Sequence, residues 1–315
     1  MNTPLPRCAS EVYYVSKVEI AGQVKIGLVT VTYNSEAVLA EFLDSVTQQT
    51  YKQMRLYVVD NASRDRSLEI VGERPGLAAV VISNKDNVGV AEGNNQGIRA
   101  ALADGCDYVL LINNDTVFSS DLVDRLYRGL HDFKCDMTTC KMYYHDRPDV
   151  LWYAGGNFRK WLGYAPAHFG INYVDQGQYD LACTVTYAPT CCLLLRSAVF
   201  VRVGMMDGKY FAYYDDADYL FRCMKLGLVL QYLPDIKLWH KVSSLTSSLP
   251  EFSTRLLARN RIYFIKKHLS RGMAWIWYLS ESLRFVLQFA LRKNSATTLK
   301  IQLRATRDGW TTAHR

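Results

Sequence analysis

Acidic residues stand at the ends of several apolar runs in this chain. One run ends at Asp60, a second at Asp115 within Asn-Asn-Asp, and a third leads into Asp215-Asp216, while His240 ends a fourth. Strands that end in Asp place carboxylates at the carboxyl edge of a sheet, where open α/β sheets bind their ligands. Carboxylates and one His meeting at that edge suit a divalent metal, a phosphorylated ligand and a general base.

Polar turns after the strands could hold a nucleotide. Asp60 can accept hydrogen bonds from ribose hydroxyls or a base N–H, and helix capping is the alternative. The segment from Asn84 to Gly97 lacks the G-x-G-x-x-G spacing, which argues against an NAD enzyme. Its small residues could bring a helix N-terminus close to a sugar or phosphate, and tight helix packing is an equal alternative. The candidate nucleotide-binding residues are Thr32, Tyr33, Asn34, Asp60, Asn61, Asn87, Asn94, Asn113 and Asn114.

Asp115 is the candidate metal ligand, and His240 could complete the metal shell. Oxygen ligands at a strand end suit Mg²⁺ or Mn²⁺ that bridges a diphosphate. Consecutive polar residues after Leu-Leu-Ile are costly to bury without partners, so a simple core position is a poor explanation.

The pair Asp215-Asp216 is the candidate general base. Neighbouring carboxylates disfavour joint ionisation, so one pKa is expected to rise toward the range of a general base. The alternative is a helix N-terminus stabilised by its macrodipole, and the two interpretations are compatible.

The elements that position these residues follow a β-α-β-α order. Apolar runs predict strands at 26–32, 54–59, 78–82 and 108–112, with helices between them, and this order predicts a mostly parallel sheet flanked by helices. Residues 142–190 have no long period and are expected to form loops around a cleft. Beyond them we predict a strand over 184–195, a helix over 216–226 and a strand over 229–233 that stops at Pro234.

The basic charge of the chain belongs to its C-terminal region. Residues 255–315 hold 13 Lys or Arg and two acids, a net charge of +11. Because the whole chain has a net charge of +7, the residues before 255 carry a net charge of −4. A nucleic-acid enzyme more often spreads positive charge around its site, so no nucleic-acid partner is expected. Two helices are predicted, at 252–269 and 273–291, and the second contains Glu281 and Arg284, which argues against a membrane span. A wide apolar face flanked by cations fits an anionic membrane surface. A hairpin packed on the main domain, or a homodimer contact, is the alternative.

Cysteine usage and the N-terminus predict a cytoplasmic protein. The eight cysteines include no C-x-x-C pair, and no apolar stretch typical of a secretory signal follows Met1.

Together these motifs resemble the family-2 inverting glycosyltransferases of the GT-A fold. The resemblance covers residues 25–270 and rests on an ordered set of segments: 31–34, 59–63, 87–89, 111–115, 214–218 and 239–240. Residues 152–157 and 191–196 look like the rhamnosyltransferase branch, near the galactofuranosyltransferases. The fold implied is GT-A type, a mostly parallel Rossmann-like sheet flanked by helices, with a helical C-terminal extension.

The resemblance also implies a division of the chain and of its roles. A lead-in at 1–24 would precede a GT-A domain at 25–250, with a nucleotide-sugar half at 25–118 and an acceptor half at 119–250. A basic amphipathic helical region at 251–315 would follow. Asp216 matches the catalytic base and Asp215 could trade roles with it. Asn113-Asn114-Asp115 stands at the metal motif, where only Asp115 keeps a carboxylate, and acceptor-binding residues would be Trp152, Gly155, Gly156 and Asp218.

The expected reaction moves L-rhamnose from dTDP-rhamnose to a glycan or lipid-linked saccharide in cell-surface polysaccharide synthesis, such as that of lipopolysaccharide, at the inner face of the membrane. A galactofuranosyl- or other hexosyltransferase using a UDP-sugar is the alternative. A nucleotidyltransferase would show a Gly-rich basic loop, which Val29–Ser35 lacks. A non-catalytic sugar-nucleotide or membrane-binding module is a further alternative, although binding alone does not require a base.

Overall fold

The computed structural model describes residues 24–242, apart from Pro75 and Ala78, and residues 250–313. The predicted N-terminal lead-in at 1–24 therefore lies almost wholly outside the described residues.

The first half of the described chain is a parallel α/β unit. Its strands lie in the order β3-β2-β1-β4, and their paired residues are almost all apolar because helices cover the sheet. Thr32 pairs with Asp60, so the carboxyl ends of β1 and β2 lie side by side. The elements are β1 (Ile26–Thr32), α1 (Glu36–Thr47), β2 (Met54–Asp60), α2 (Ser67–Gly72), β3 (Ala79–Ser83), α3 (Gly89–Ala103) and β4 (Tyr108–Ile112).

The second half continues the same sheet with mixed strand directions. β11 is antiparallel to both β4 and β6, and β12 then runs parallel to β6. This reversal brings the segments before β11 and α6 to the carboxyl edge of β4. The elements are β5 (Thr116–Phe118), α4 (Leu122–Asp132), β6 (Met137–Tyr144), β7 (Leu151–Tyr153), β8 (Gly156–Arg159), β9 (Ala165–His168), β10 (Cys183–Val185), β11 (Cys192–Arg196), α5 (Ser197–Val203), α6 (Asp215–Lys225) and β12 (Leu230–His240).

Two sequence expectations are wrong here. The strand predicted to stop at Pro234 continues to His240, because its pairing with β6 shifts register between Leu233 and Lys237, and such an irregularity accepts a residue without an N–H. The strand predicted over 184–195 is two strands, β10 and β11, which pair with different neighbours.

Three helices complete the described chain: α7 (Pro250–His268), α8 (Arg271–Ala290) and α9 (Ala296–Thr311). α7 belongs to the main core, since Ile262, Tyr263, Phe264 and Ile265 are buried in it. The predicted helices at 252–269 and 273–291 correspond to α7 and α8, whereas α9 was not predicted. None of the helices in residues 24–242 and 250–313 has the length and apolar character needed to cross a membrane.

α8 carries its apolar residues on the outside. Ile276, Leu279, Leu283 and Leu287 are 60%, 61%, 58% and 52% exposed. Its polar stripe, which includes Glu281, Arg284 and Gln288, lines a cavity against α7 and α9 instead. α8 also buries Ala274 and Phe285, so it has apolar residues on both its inner and its outer side.

Candidate active site

A cavity of about 540 Å³ lies where β4 ends, between the loop after it and the start of α6. It brings together candidates from distant parts of the sequence: Asn94, Asn113, Asn114, Asp115, Trp152, Asp215, Asp216 and His240. A volume of this size is typical of small-molecule sites.

Asp60 and Thr32 do not line this cavity; they lie at the paired ends of β1 and β2, one residue beyond Val31, which does line it. The Asp60 side chain is 1% exposed, and Oδ1 accepts a hydrogen bond of 2.9 Å from Thr32 Oγ1. The backbone N–H of Ser63 donates to Oδ2 at 3.0 Å, so Asp60 shapes the turn before α2. Tyr33 follows Thr32 in the chain and its side chain is 45% exposed. Asp60 thus fixes the backbone at this edge of the sheet, where the Tyr33 ring is accessible.

Several of the predicted nucleotide-binding asparagines hold the backbone in this region. Asn34 Oδ1 accepts from the backbone N–H of Arg64 at 2.9 Å, and Asn61 Nδ2 donates to Gly89 O at 3.1 Å. Asn87 Oδ1 accepts from the backbone N–H of Gly89 at 2.9 Å. Asn114 Nδ2 lies 2.9 Å from both Val31 O and Ser35 Oγ. These side chains set the shape of the cleft.

Asp115 and His240 both line the cavity, and their side chains contact each other. Asp115 Oδ1 lies 3.1 Å from His240 Nε2, at the antiparallel junction of β5 and β12. Asp115 Oδ1 and His240 Nδ1 are nevertheless buried without a hydrogen-bond partner in the described part of the chain. A buried carboxylate oxygen left in this state is costly unless something else satisfies it.

This pair fits a divalent cation that also takes phosphate oxygens. Residues 24–242 and 250–313 contain no group of three or more His, Cys, Asp or Glu that could hold a metal. Mg²⁺ is commonly held by one or two carboxylates together with substrate phosphates and water, so a two-residue protein contribution is sufficient. Asp115 and His240 are therefore the described residues best suited to hold Mg²⁺ or Mn²⁺.

Asp215 and Asp216 begin α6 and line the same cavity. Burial and the neighbouring charge of Asp216 raise the pKa of Asp215. Burial also raises the pKa of Asp216, but hydrogen bonds from Tyr187 and from the backbone N–H of Ala217 oppose that rise. Tyr187 Oη donates to Asp216 Oδ2 at 2.7 Å, and the Ala217 N–H lies 2.6 Å from Oδ1. Asp216 is therefore the easier of the two to ionise, while Asp215 retains the proton.

The backbone before the pair is strained. Phe211, Tyr213 and Tyr214 have φ values of 63°, 63° and 66°, a left-handed conformation that side chains of this size rarely adopt. Gly89 approaches this loop so closely that a Cβ there would lie 2.5 Å from Phe211 O. Such strain persists only where surrounding contacts enforce it.

Asn260 of α7 supplies one such contact. Its Nδ2 lies 2.9, 2.8 and 2.9 Å from the carbonyl oxygens of Tyr210, Ala212 and Tyr213, and the side chain is fully buried. The C-terminal helices thus hold the loop that carries the acidic pair. Asn260 was not predicted, because a lone Asn within a helical segment has no distinguishing pattern.

The predicted acceptor residues separate into two groups. Trp152 lines the cavity, with its ring centroid 4.5 Å from that of His240. Gly155 and Gly156 do not line it; a Cβ on Gly156 would lie 2.7 Å from Ala167 O, which explains the need for glycine in the β8–β9 hairpin.

Asp218 also does not line the cavity. It is 0% exposed, and Oδ1 lies 2.7 Å from both His268 Nε2 and Lys267 Nζ, while Arg222 Nε lies 3.0 Å from Oδ2. Burial alone would raise its pKa, but these partners together lower it well below its usual range. Asp218 therefore links α6 to α7 through ion pairs and does not line the cavity.

Two further cavity residues lay outside the sequence-based set. Tyr187 and His168 both fall in the stretch 142–190, where loops and short strands around a cleft were expected but no individual aromatic residue other than Trp152 was singled out. Burial lowers the pKa of His168, so its ring is neutral beside Trp152. A tyrosine in an aperiodic segment carries no signal that it will contact a carboxylate 29 residues later.

Comparison with known proteins agrees with this geometry. The chain is 23% identical over 290 residues to the dTDP-rhamnosyl transferase RfbF of Shigella flexneri, covering 89% of this chain and 94% of that protein. The mannosyltransferase PcManGT from Pyrobaculum calidifontis, solved with GDP-Man and Mn²⁺, superposes with a TM-score of 0.57 at 14% identity, covering 92% of this chain and 88% of that one. TarS 1–349 of S. aureus, solved with UDP, gives a TM-score of 0.52 at 14% identity, with coverages of 91% and 90%.

These structures share the GT-A fold, which confirms the expected fold class, with a sheet more mixed in direction than the sequence indicated. The model of the family described as glycosyl transferase family 2 matches residues 28–204, more than half of the chain. The protein therefore belongs to glycosyl transferase family 2 and is a glycosyltransferase.

Proposed function

We propose that this glycosyltransferase moves a hexosyl group from a nucleoside-diphosphate sugar to a saccharide hydroxyl with inversion at the anomeric carbon. The observation that carries the proposal is the shared cavity, which is lined both by Asp216 and by the pair Asp115 and His240. This arrangement offers a base for the acceptor and a separate site for the leaving diphosphate.

Asp216 acts as the general base. Its carboxylate removes the proton of the acceptor hydroxyl, whose oxygen then forms a bond to the anomeric carbon as the bond from that carbon to the diphosphate breaks. Attack from the face opposite the diphosphate inverts the configuration. Tyr187 and the Ala217 N–H hold the carboxylate in position, while protonated Asp215 avoids a second negative charge beside it.

Asp115 and His240 hold a divalent cation, Mg²⁺ or Mn²⁺. When bound, the cation neutralises charge on the departing diphosphate. The Mn²⁺ present with the mannosyltransferase neighbour supports this choice of metals. Thr32, Tyr33, Asn34 and Asp60 provide the nucleoside end of the same donor site.

The donor we favour is dTDP-L-rhamnose. The match to a dTDP-rhamnosyl transferase extends over nearly the whole of both chains, which supports this choice. A UDP-sugar, as used by a galactofuranosyl- or other hexosyltransferase, is the second candidate, and the UDP complex of TarS favours it.

The acceptor is a saccharide or lipid-linked saccharide in bacterial-type cell-surface polysaccharide synthesis, met at the inner face of the membrane. The outward apolar face of α8, together with the excess of cations in residues 255–315, supports docking on an anionic membrane surface. A second copy of the chain is the alternative partner for this face.

The variant Asp216→Asn tests the proposal. General-base catalysis raises a reaction rate by about 10²–10⁴-fold, so the rate of transfer from dTDP-rhamnose should fall by at least about 10²-fold in the variant. The variant should still bind the donor. In a thermal-shift titration with Mn²⁺ present, dTDP-rhamnose at 100 times the Kd of the donor should stabilise the wild-type chain and the variant alike by about 2.7 kcal/mol. Full transfer by the variant would refute the assignment of Asp216. An absent shift with every dTDP- and UDP-sugar would favour a non-catalytic module.

A further inference from the structure

A second cavity, of about 720 Å³, lies between α7, α8 and α9 beneath the β8–β9 hairpin. Tyr214 and Leu257 line both this cavity and the one that holds Asp216, so the two adjoin. Tyr214 directly precedes the acidic pair, so the boundary between the two cavities lies next to the proposed base.

The walls of this second cavity combine polar and apolar side chains. Ser280, Glu281, Arg284 and Gln288 of α8 line it together with Trp277 and Phe285 of the same helix. Asn294 and Gln302 also line it, with Asn294 Nδ2 donating to Gln288 Oε1 at 3.0 Å. A cavity that offers both hydrogen-bonding groups and apolar surface suits a ligand that has hydroxyl groups and apolar faces.

The charged groups of the cavity are already paired with one another. Arg261 Nε lies 3.4 Å from Glu281 Oε1, and Arg284 Nη2 lies 2.7 Å from Glu281 Oε2. Arg261 also donates to the carbonyl oxygens of Leu162 and Gly163 in the hairpin. The groups that these ion pairs leave for a ligand are the amides of Gln288 and Gln302, whose oxygens accept from Asn294 Nδ2 at 3.0 and 3.4 Å, with the Ser280 hydroxyl and the partly exposed ring of Trp277.

We propose that this second cavity binds the part of the acceptor that lies beyond the reacting sugar, a neutral oligosaccharide of at least two residues. Amide side chains hydrogen-bond to sugar hydroxyls, and a tryptophan ring packs against the apolar face of a pyranose. The donor and the reacting hydroxyl would share the first cavity, and the rest of a long acceptor would extend past Tyr214 and Leu257 into the second. The inference rests on the transferase function proposed above.

The test measures binding of a fixed panel of methyl glycosides, disaccharides and trisaccharides of glucose, galactose, N-acetylglucosamine and rhamnose. Saturation-transfer NMR on the full chain gives an affinity for each compound with UDP or dTDP and Mn²⁺ present. Ser280→Trp adds a bulky ring at the cavity wall, and Leu279→Trp, which adds the same ring at a neighbouring residue that does not line the cavity, is the matched control. Gln288→Leu removes one amide while retaining most of its bulk.

We expect di- and trisaccharides to bind more tightly than monosaccharides. Ser280→Trp and Gln288→Leu should weaken that binding at least fivefold, while Leu279→Trp leaves it within twofold. Unchanged binding in both cavity variants overturns the inference, as does a wild-type protein that binds no compound of the panel.

The variant Asp216→Asn separates this inference from the proposed reaction. It should bind the same saccharides as the wild-type chain while transferring no sugar. Cavity-dependent binding in a wild-type chain that shows no transfer would count against the reaction and support the binding site.

Discussion

The side-chain amide nitrogen of Asn260 lies 2.9 Å from the carbonyl oxygen of Tyr213, three residues before Asp216. A residue of α7 thereby fixes a strained loop of the glycosyltransferase domain. The C-terminal helices are thus part of the reaction site's framework.

Replacing Asn260 with Ala should release that loop. The carbonyl oxygens of Ala212 and Tyr213 would lose the Asn260 amide, whereas Tyr210 O still accepts from the Ala212 N–H. An unsatisfied buried group costs about 1–3 kcal/mol, so the melting temperature should fall. The acidic pair would also lose its fixed position, so kcat should fall by about tenfold or more with a smaller change in the donor KM. Glu251→Ala, on the exposed start of the same helix, is the control. A loss of stability with kcat unchanged would show that Asn260 has only a structural role.

Replacing Tyr187 with Phe should shift the pH dependence of transfer. The Tyr187 hydroxyl stabilises the carboxylate form of Asp216 and lowers its pKa, so its loss raises that pKa. The acidic limb of kcat/KM should then move to higher pH, because the base must be ionised to act. Tyr153→Phe removes a buried hydroxyl that donates to Tyr187 O instead, and its profile should keep the wild-type midpoint. An unmoved limb in Tyr187→Phe would exclude Asp216 as the titrating group.

Replacing His240 with Ala should weaken metal activation. We expect the Mn²⁺ concentration for half-maximal activity to rise at least about tenfold, since one of two protein ligands is lost. Asp115→Asn should act in the same direction. His145→Ala is a suitable control, because His145 contacts Glu41 at 3.5 Å outside the cavity. Identical Mn²⁺ titrations for all four proteins would contradict the metal assignment.

Two glutamates on the exposed face of α8 should prevent membrane docking. The wild-type chain should sediment with vesicles containing anionic phosphatidylglycerol, and high salt should weaken that binding. The double variant Leu279→Glu/Leu283→Glu should remain in the supernatant. Leu181→Glu, at a site 73% exposed elsewhere, should bind as the wild type does. A wild-type dimer that the double variant converts to monomers would instead make a second copy the partner.

Strand ends were the most predictable part of the site. Asp115 and His240 were identified because a carboxylate or imidazole that directly follows an apolar run is costly to bury unless it meets a ligand or a polar partner. Asp216 was identified from the acidic cluster instead, and the strand-like run expected before it is a loop that leads into α6. β6 was not identified, because Lys141 interrupts its apolar pattern. The structure buries that lysine to 1% exposure and pairs it with Asp175 at 2.9 Å. A compensating charge 34 residues away has no local signature.

Contacts between distant segments account for what the sequence did not reveal. Tyr187 and Asn260 matter because of the carboxylate and carbonyl groups they meet, and those partners are set by how the chain packs. The bulge that carries Pro234 through β12 likewise depends on the partner strand β6. Periodicity and capping rules describe neighbours along the chain, so they cannot report such partners.

Asn260 and Arg261 are consecutive residues of one stiff helix, yet the first holds the loop before Asp216 and the second holds the hairpin over the second cavity. A saccharide that moved α7 would therefore also move the reactive loop. Thermodynamic linkage between two binding sites is reciprocal. If such a saccharide raised the affinity for the donor by some factor, the donor would raise the affinity for the saccharide by the same factor. An enzyme built in this way would bind its donor more tightly once the acceptor saccharide is bound, so less donor would be bound, and open to hydrolysis, in the absence of an acceptor.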